Sequence, residues 1–189
     1  TKGGSLTVGD ITVTNGETAQ TLIDRETDVT FTVAPEANYD FTSLTVNGEA
    51  VNVANNTYTY PNLLTDIDVK ATFTEKPKFD IKATATGGTV SLNGANFSAS
   101  QTIKVYRDTD VTLAIAAAEG YENPKVVVNG QDVTAQLQNN TLTLENIQEA
   151  KTIVVTYTKM KFQIAAEPTQ NGSITLSKNV VEWGDGYMS

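Results

Sequence analysis

Short segments with alternating apolar and polar residues run through the chain and predict β-strands. Clear examples are residues 29–33, 69–73 and 79–85, where Val, Phe, Ile or Ala alternates with Thr, Lys or Asp. One face of each strand is therefore apolar and the other polar, which is typical of antiparallel sheets that are solvated on one side. The weak helical signal at residues 116–119 aligns with a Pro-containing stretch at 33–36, so we interpret both as the end of a strand followed by a turn.

Two Asn-Gly pairs mark the tightest predicted turns. Asn47-Gly48 and Asn129-Gly130 each separate two apolar-rich strands. Asn and Gly accept the positive φ angles that both central positions of a type I′ hairpin turn require. Each pair therefore predicts a two-residue hairpin.

The strands belong to an internal repeat. The sequence RETDVTF, which starts at Arg25, returns 82 residues later as RDTDVTL, and LTVNGEAV at Leu44 returns at the same distance as VVVNGQDV. NNTYTY at Asn55 returns as NNTLTL after 84 residues, which places a two-residue insertion around residues 135–137. The shared order and nearly constant spacing indicate two copies of one structural unit.

A third copy begins near the end of the chain, because KFDIKATATGGTVSL, which starts at Lys78, resembles KFQIAAEPTQNGSITL, which starts at Lys161. The expected domains are a first β-repeat at residues 1–76, a second at 77–160 and, at 161–189, a partial third repeat or the start of another module. The first copy lacks the strand that opens the others. Residues 78–86 therefore either open the second domain, which we prefer, or pair back to close the first.

The sequence thus predicts an all-β protein with two tandem small antiparallel domains and the start of a third repeat. Joints of about three residues, at 75–77 and 159–161, leave little freedom for independent swinging, so we expect an elongated, semi-rigid assembly. The expected core residues are Val29, Phe31, Tyr39, Leu44, Val46, Val69 and Phe73 in the first copy, and Phe79, Ile81, Val111, Leu113, Tyr121, Val126, Val128, Ile153, Val155 and Tyr157 in the second.

Composition argues against most kinds of chemistry. The 189 residues include no Cys and no His, which excludes disulfides, zinc–thiolate sites, thiol nucleophiles and the Ser-His-Asp triad. The 13 basic and 22 acidic residues give a formal net charge of −9, which disfavours binding to nucleic acid or an anionic membrane. No apolar run approaches the roughly 18 residues of a membrane span, and no signal-peptide pattern is present. We expect neither an enzyme nor a cofactor.

The order of the motifs resembles the divergent internalin-B-type B-repeat, which occurs in secreted and surface proteins of bacteria. The resemblance rests on a Gly-Gly strand start, a D-V-T-[FL] strand, a Tyr followed by V-N-G, and a closing strand that ends in Phe or Tyr, and it covers residues 3–74 and 87–158. It implies a β-grasp-like or small β-sandwich fold, a stalk, spacer or adhesive role, and no catalytic activity. Many relatives have Trp just before the V-N-G turn, where this chain has Leu44 and Val126, so no exposed aromatic contact is expected there.

Carbohydrate binding would need exposed aromatic side chains, and the aromatic residues that do not repeat are the best candidates. The weak binding candidates are Tyr58, Tyr60, Tyr106, Trp183 and Tyr187, and Phe97 also does not repeat. Leu142 and Leu144 replace Tyr58 and Tyr60 in the second copy, which favours a core role for these two tyrosines. The segment that carries Trp183 and Tyr187 does not follow the repeat.

Two carboxylates stand two residues apart at a strand entrance, Asp108 and Asp110, and Glu26 and Asp28 match them in the first copy. Such spacing could contribute oxygen ligands to a Ca²⁺ site, but no glycine-containing acidic loop accompanies it. The neighbouring Arg107 offers a local ion pair. We therefore interpret the pair as a solvated turn and predict no metal site.

The sequence as a whole favours a non-catalytic, monomeric module of an extracellular or cell-surface bacterial protein, acting as a stalk or spacer. The alternative is an adhesive module that binds a glycan or a host protein. Because the first and third copies are incomplete, we expect the chain to be a fragment of a longer protein.

Overall fold

The computed structural model describes residues 2–14, 16–167 and 170–185. These residues fall into two compact units, one up to Pro77 and one from Lys78 onward. Strands dominate both units, and no α-helix occurs among the described residues. The prediction of an all-β fold is therefore confirmed.

The first unit consists of two small antiparallel sheets. One sheet has the order β2-β1-β3-β6 and the other β5-β4-β7, and the strands are β1 (Gly4–Val8), β2 (Ile11–Thr14), β3 (Val29–Pro35), β4 (Tyr39–Val46), β5 (Glu49–Val51), β6 (Thr57–Tyr60) and β7 (Val69–Glu75). Residues 17–24, which lie between β2 and β3, form no strand. Side chains from both sheets meet in one core, so the unit is a small sandwich.

The second unit has a larger sheet of order β10-β8-β15-β12-β13, a sheet of order β14-β11-β9, and the pair β16-β17. The strands are β8 (Lys78–Thr86), β9 (Gly88–Leu92), β10 (Ser100–Tyr106), β11 (Val111–Ala117), β12 (Tyr121–Val128), β13 (Gln131–Asp132), β14 (Thr141–Leu144), β15 (Lys151–Lys159), β16 (Lys161–Gln163) and β17 (Val180–Glu182). A 3₁₀ turn spans Thr134–Gln136, at the site of the two-residue insertion.

One strand pair departs from the antiparallel expectation. β8 and β15 run parallel, with Ile81 opposite Lys151 and Ala83 opposite Ile153. The rest of the unit separates these two strands in the chain, so no short hairpin forces them to run in opposite directions. The strand at residues 78–86 pairs with β15 and with β10, both of which belong to the second unit.

The two units repeat the same strand order. β1, β3 and β6 correspond to β9, β11 and β14, and β4, β5 and β7 correspond to β12, β13 and β15. In addition, the first unit contains β2, and the second contains β8, β10, β16 and β17. Burial alternates along the corresponding strands, as in the pattern of β3 and of β11, which confirms the period-two interpretation.

Most of the expected core residues are buried. The exceptions are Tyr39, Val69, Phe79, Tyr121 and Tyr157, which are only partly buried. The tyrosines lie at the margins of their cores, where large side chains with a polar end are commonly half covered. Val69 belongs to β7, which has no described strand on its outer side.

Each unit depends on close contact between a glycine pair and two aromatic rings. In the second unit a Cβ atom on Gly87 would overlap the Tyr121 ring, and one on Gly88 would overlap the Tyr157 ring and the Ala116 carbonyl oxygen. Gly87 also has a positive φ of 76°. The first unit repeats the arrangement, with Gly3 under Tyr39 and Gly4 under Phe73. The Gly-Gly motif therefore provides room for the rings that close the end of each core.

The two predicted hairpins are confirmed. Asn47 and Gly48 have φ angles of 52° and 87°, and Asn129 and Gly130 have φ angles of 47° and 82°. The flanking residues pair directly, so each loop contains two residues.

Substitution of Gly88 by Ala should lower the free energy of unfolding by about 1–3 kcal/mol, because the added methyl group has no space beside the Tyr157 ring. Urea denaturation of the whole chain, followed by circular dichroism, measures this change. Gly172→Ala is the matched control, because open space surrounds Gly172. Equal effects of the two substitutions would contradict the packing role of Gly88.

Candidate functional site

The carboxylates that the sequence singled out hold loops in place. The Asp28 Oδ1 atom accepts a hydrogen bond of 2.9 Å from the Asn62 N–H, and the Asp110 Oδ1 atom accepts one of 2.8 Å from the Asn146 N–H. In addition, the Gln148 side-chain amide donates to Asp108 Oδ1 at 2.7 Å. The described residues contain no group of three or more His, Cys, Asp or Glu side chains that could hold a metal ion.

The hairpin asparagines make a second repeated contact. The Asn47 Oδ1 atom accepts a 2.8 Å hydrogen bond from the Asp68 N–H, and the Asn129 Oδ1 atom accepts one of the same length from the Thr152 N–H. Each bond fixes the hairpin turn to the start of the neighbouring strand. The Asn of the V-N-G motif therefore serves both the turn geometry and the attachment of the turn.

Two substitutions at Asn129 should separate these functions. Asn129→Gly keeps the positive φ and removes the side-chain hydrogen bonds to Thr152, Glu149 and Ala150, with an expected loss of at least about 1 kcal/mol in the free energy of unfolding. Asn129→Ala should cost about 1–2 kcal/mol more, because Ala is strained at this φ. Chemical denaturation of both variants checks the order. A Gly variant as unstable as the Ala variant would argue against a separate contribution from backbone strain.

The predicted aromatic candidates occupy several places in the structure. Tyr58 and Tyr60 lie on β6, are half-buried and pack against the core of the first unit. In the second unit the Lys78 Nζ atom lies 4.3 Å from the centroid of the Tyr106 ring, a cation–π contact. Phe97 is 51% exposed. Tyr58 and Tyr60 thus stabilise a core, as their replacement by leucines in the second copy indicated.

Trp183 lies in the terminal segment against Gly120, where a Cβ atom would overlap the indole ring. The ring centroids of Trp183 and Phe162 are 6.4 Å apart, and Trp183 remains 40% exposed. Tyr187 lies outside the described residues. None of the aromatic candidates within the described residues lines the open groove of the second unit, which lies beside residues 128–151.

That groove is open and has a volume of about 1070 Å³. The sequence did not predict it. Its polar lining is rich in side-chain amides, each of which can both donate and accept hydrogen bonds: Asn129, Gln131, Gln136, Gln138 and Asn139. Val128, Leu142 and Ile147 supply apolar lining. The available signal was the insertion around residues 135–137, which lies within an amide-rich stretch and forms the 3₁₀ turn beside the groove.

Two charged side chains that line the groove, Glu149 and Lys151, pair with each other. Lys151 Nζ lies 2.8 Å from Glu149 Oε1, and this hydrogen bond is the main reason why the pKa of Glu149 lies below its usual range. The pKa of the neighbouring Asp132 is also lowered, first by the Thr134 hydroxyl at 2.6 Å and then by the Thr134 N–H. The Asn129 amide is bonded to Thr152, Glu149 and Ala150, so the amides of the groove that we consider for ligand binding are those of the other Asn and Gln side chains in its lining.

Replacement of Thr134 by Val should raise the pKa of Asp132 towards the ordinary aspartate value, because the hydroxyl no longer donates to the carboxylate. Because the folded-state pKa is lowered, the stability that the charged carboxylate contributes is present above pH ~4 and is lost as pH falls through the folded-state pKa. An NMR titration of the carboxyl carbon measures the shift, with Thr112→Val as control. An unchanged pKa of Asp132 would exclude the hydroxyl as the main cause.

Comparison with known proteins finds a family match for the first unit of the chain. Residues 3–77 match the family model of the divergent InlB B-repeat domain, which confirms over these residues the resemblance seen in the motifs. The second unit repeats its strand order. No curated protein and no solved structure matches the chain. The family is associated with surface proteins of bacteria. No described helix is long and apolar enough to cross a membrane.

Proposed function

We propose that the chain is a non-catalytic spacer in a secreted or cell-surface bacterial protein, where its tandem repeats hold another part of that protein at a distance. The observation that carries this proposal is that the polar side chains conserved between the two copies serve the fold. Asp28 and Asp110 bind loop backbones, and Asn47 and Asn129 attach hairpins. The family match supports a surface repeat module.

A spacer also needs a short connection between its units. Only Lys76 and Pro77 lie between β7 and β8. The Lys76 N–H donates a hydrogen bond of 2.8 Å to the Asn38 carbonyl, which holds the first of these two residues on the first unit. Proline restricts its own φ, so this connection has few free dihedral angles.

Electron spin resonance distance measurements test the proposal, since the absence of Cys allows clean labelling at two introduced cysteines. Labels at Glu49→Cys and Gln131→Cys, two exposed positions after equivalent hairpins, should give a narrow distance distribution. A flexible Gly-Ser insertion between Lys76 and Pro77 is the control and should broaden it. A distribution that is equally broad without the insertion would contradict a semi-rigid spacer.

The amide-lined groove favours a second candidate function, an adhesive module that binds a glycan or a host protein. Asn and Gln side chains can donate to and accept from sugar hydroxyls. Glycan-array or pull-down binding that is lost in a Gln136→Ala, Gln138→Ala double variant, with the fold intact, would support this function. Binding that is lost in Tyr60→Ala instead would move the adhesive site to the first unit, and either result would overturn a purely spacing role.

A further inference from the structure

The first unit has an open sheet edge where the second unit has a strand. Among the described residues, β7 pairs with β4 alone and is the last strand of its sheet. Its counterpart β15 pairs on both sides, with β12 and, in parallel, with β8. In the described part of the first unit, β7 therefore has no neighbouring strand at the position where β8 lies beside β15.

Alternate residues of β7 present their backbone groups to this open edge. The Asp68 carbonyl, just before β7, accepts a hydrogen bond from the Asn47 N–H on the side of β4. Peptide groups alternate in direction along a strand, so the N–H and C=O groups of Val69, Ala71 and Phe73 point to the other side. A row of this kind is a template for a further strand.

The apolar side chains near the edge are less well covered than their counterparts. In the second unit Ile81 and Ala83 of β8 are fully buried, and Ile147 is 1% exposed in the same core. Leu63 corresponds to Ile147 but is only partly buried, and Val69 of β7 is partly buried as well. The first core is therefore incompletely covered on the side where β8 covers the second.

Residues 17–24 of the first unit, which correspond to β10, also have no described strand to pair with. The Glu26 N–H donates to the Leu63 carbonyl at 2.8 Å, and the second unit repeats this bond at Asp108 with a length of 2.9 Å. The end of the segment is therefore held alike in both units. Residues 17–24 nevertheless form no strand, and Leu22 is fully exposed. In the second unit, β10 pairs with β8.

We propose that the open edge of β7 binds one further polypeptide segment as a parallel β-strand with the apolar–polar alternation of Lys78–Thr86. The added strand pairs the outward backbone groups of β7, covers the exposed side of the core, and gives residues 17–24 a neighbour. Strand addition of this kind draws affinity from main-chain hydrogen bonds and specificity from alternate side chains. The proposal does not depend on the spacer role.

A synthetic peptide with the sequence of Lys78–Thr86 is the probe, and fluorescence anisotropy with the whole chain measures its binding. The expected result is saturable one-to-one binding. A control peptide of identical composition exchanges Ile81 with Lys82 and Ala83 with Thr84, which moves these two apolar side chains to the opposite face and leaves Phe79 and Ala85 in place. It should bind about tenfold more weakly or not at all.

Disulfide cross-linking tests the location and direction of the bound strand. In the second unit Thr86 lies opposite Thr156, and Thr72 of β7 corresponds to Thr156. A peptide with Thr86→Cys should therefore cross-link to the Thr72→Cys chain, as measured by intact mass. The Thr156→Cys chain is the matched control and should react much less, because β8 already occupies that position. A peptide with Lys78→Cys in place of Thr86→Cys should not react with Thr72→Cys if the strands are parallel.

Three results would overturn the proposal. The first is the absence of saturable binding, and the second is equal cross-linking to the Thr72→Cys and Thr156→Cys chains. The third is cross-linking of the Lys78→Cys peptide to the Thr72→Cys chain, which would exclude a parallel strand. If the peptide does not bind and the chain itself forms a concentration-dependent dimer, the edge is assigned to a second copy of the chain.

Discussion

Burial of alternate strand residues between two small sheets holds each unit together. The chain has no cysteine, so no disulfide supplements this packing, and the described residues offer no metal cluster. At one end of each core the packing requires a glycine pair, because aromatic rings occupy the space that a Cβ atom would need. This contact therefore fixes the closing strand relative to the strand that the glycine pair begins. In the first unit it joins Phe73 to the start of β1, and in the second it joins Tyr157 to the start of β9.

Polar side chains then attach the loops to this packed core. The repeated Asp and Asn contacts satisfy backbone N–H groups that the strand ladders leave unpaired. The carboxylate and amide side chains that the two copies share are thus bonded within the fold. These contacts are the physical basis for the structural role that we propose.

The two units share a strand order but differ in how completely their sheets are formed. In the second, β8 completes the sheet and buries Ile81 and Ala83, and the 3₁₀ turn at Thr134–Gln136 borders an amide-lined groove. In the first, the described residues leave the outer edge of β7 open. Any binding by this chain is therefore expected where the copies differ, because the features that they share are used internally.

The sequence by itself determined the all-β class, the repeat, the type I′ hairpins and most of the core, because these depend on local alternation and on the φ preferences of Asn and Gly. It also identified the B-repeat family in the first unit through motifs such as Gly-Gly and V-N-G. Only the tertiary structure decided that β8 runs parallel to β15, since strand direction across a long connection has no local signal. The same holds for the glycine–aromatic contacts, the groove of the second unit and the open edge of β7, which arise from residues far apart in the chain.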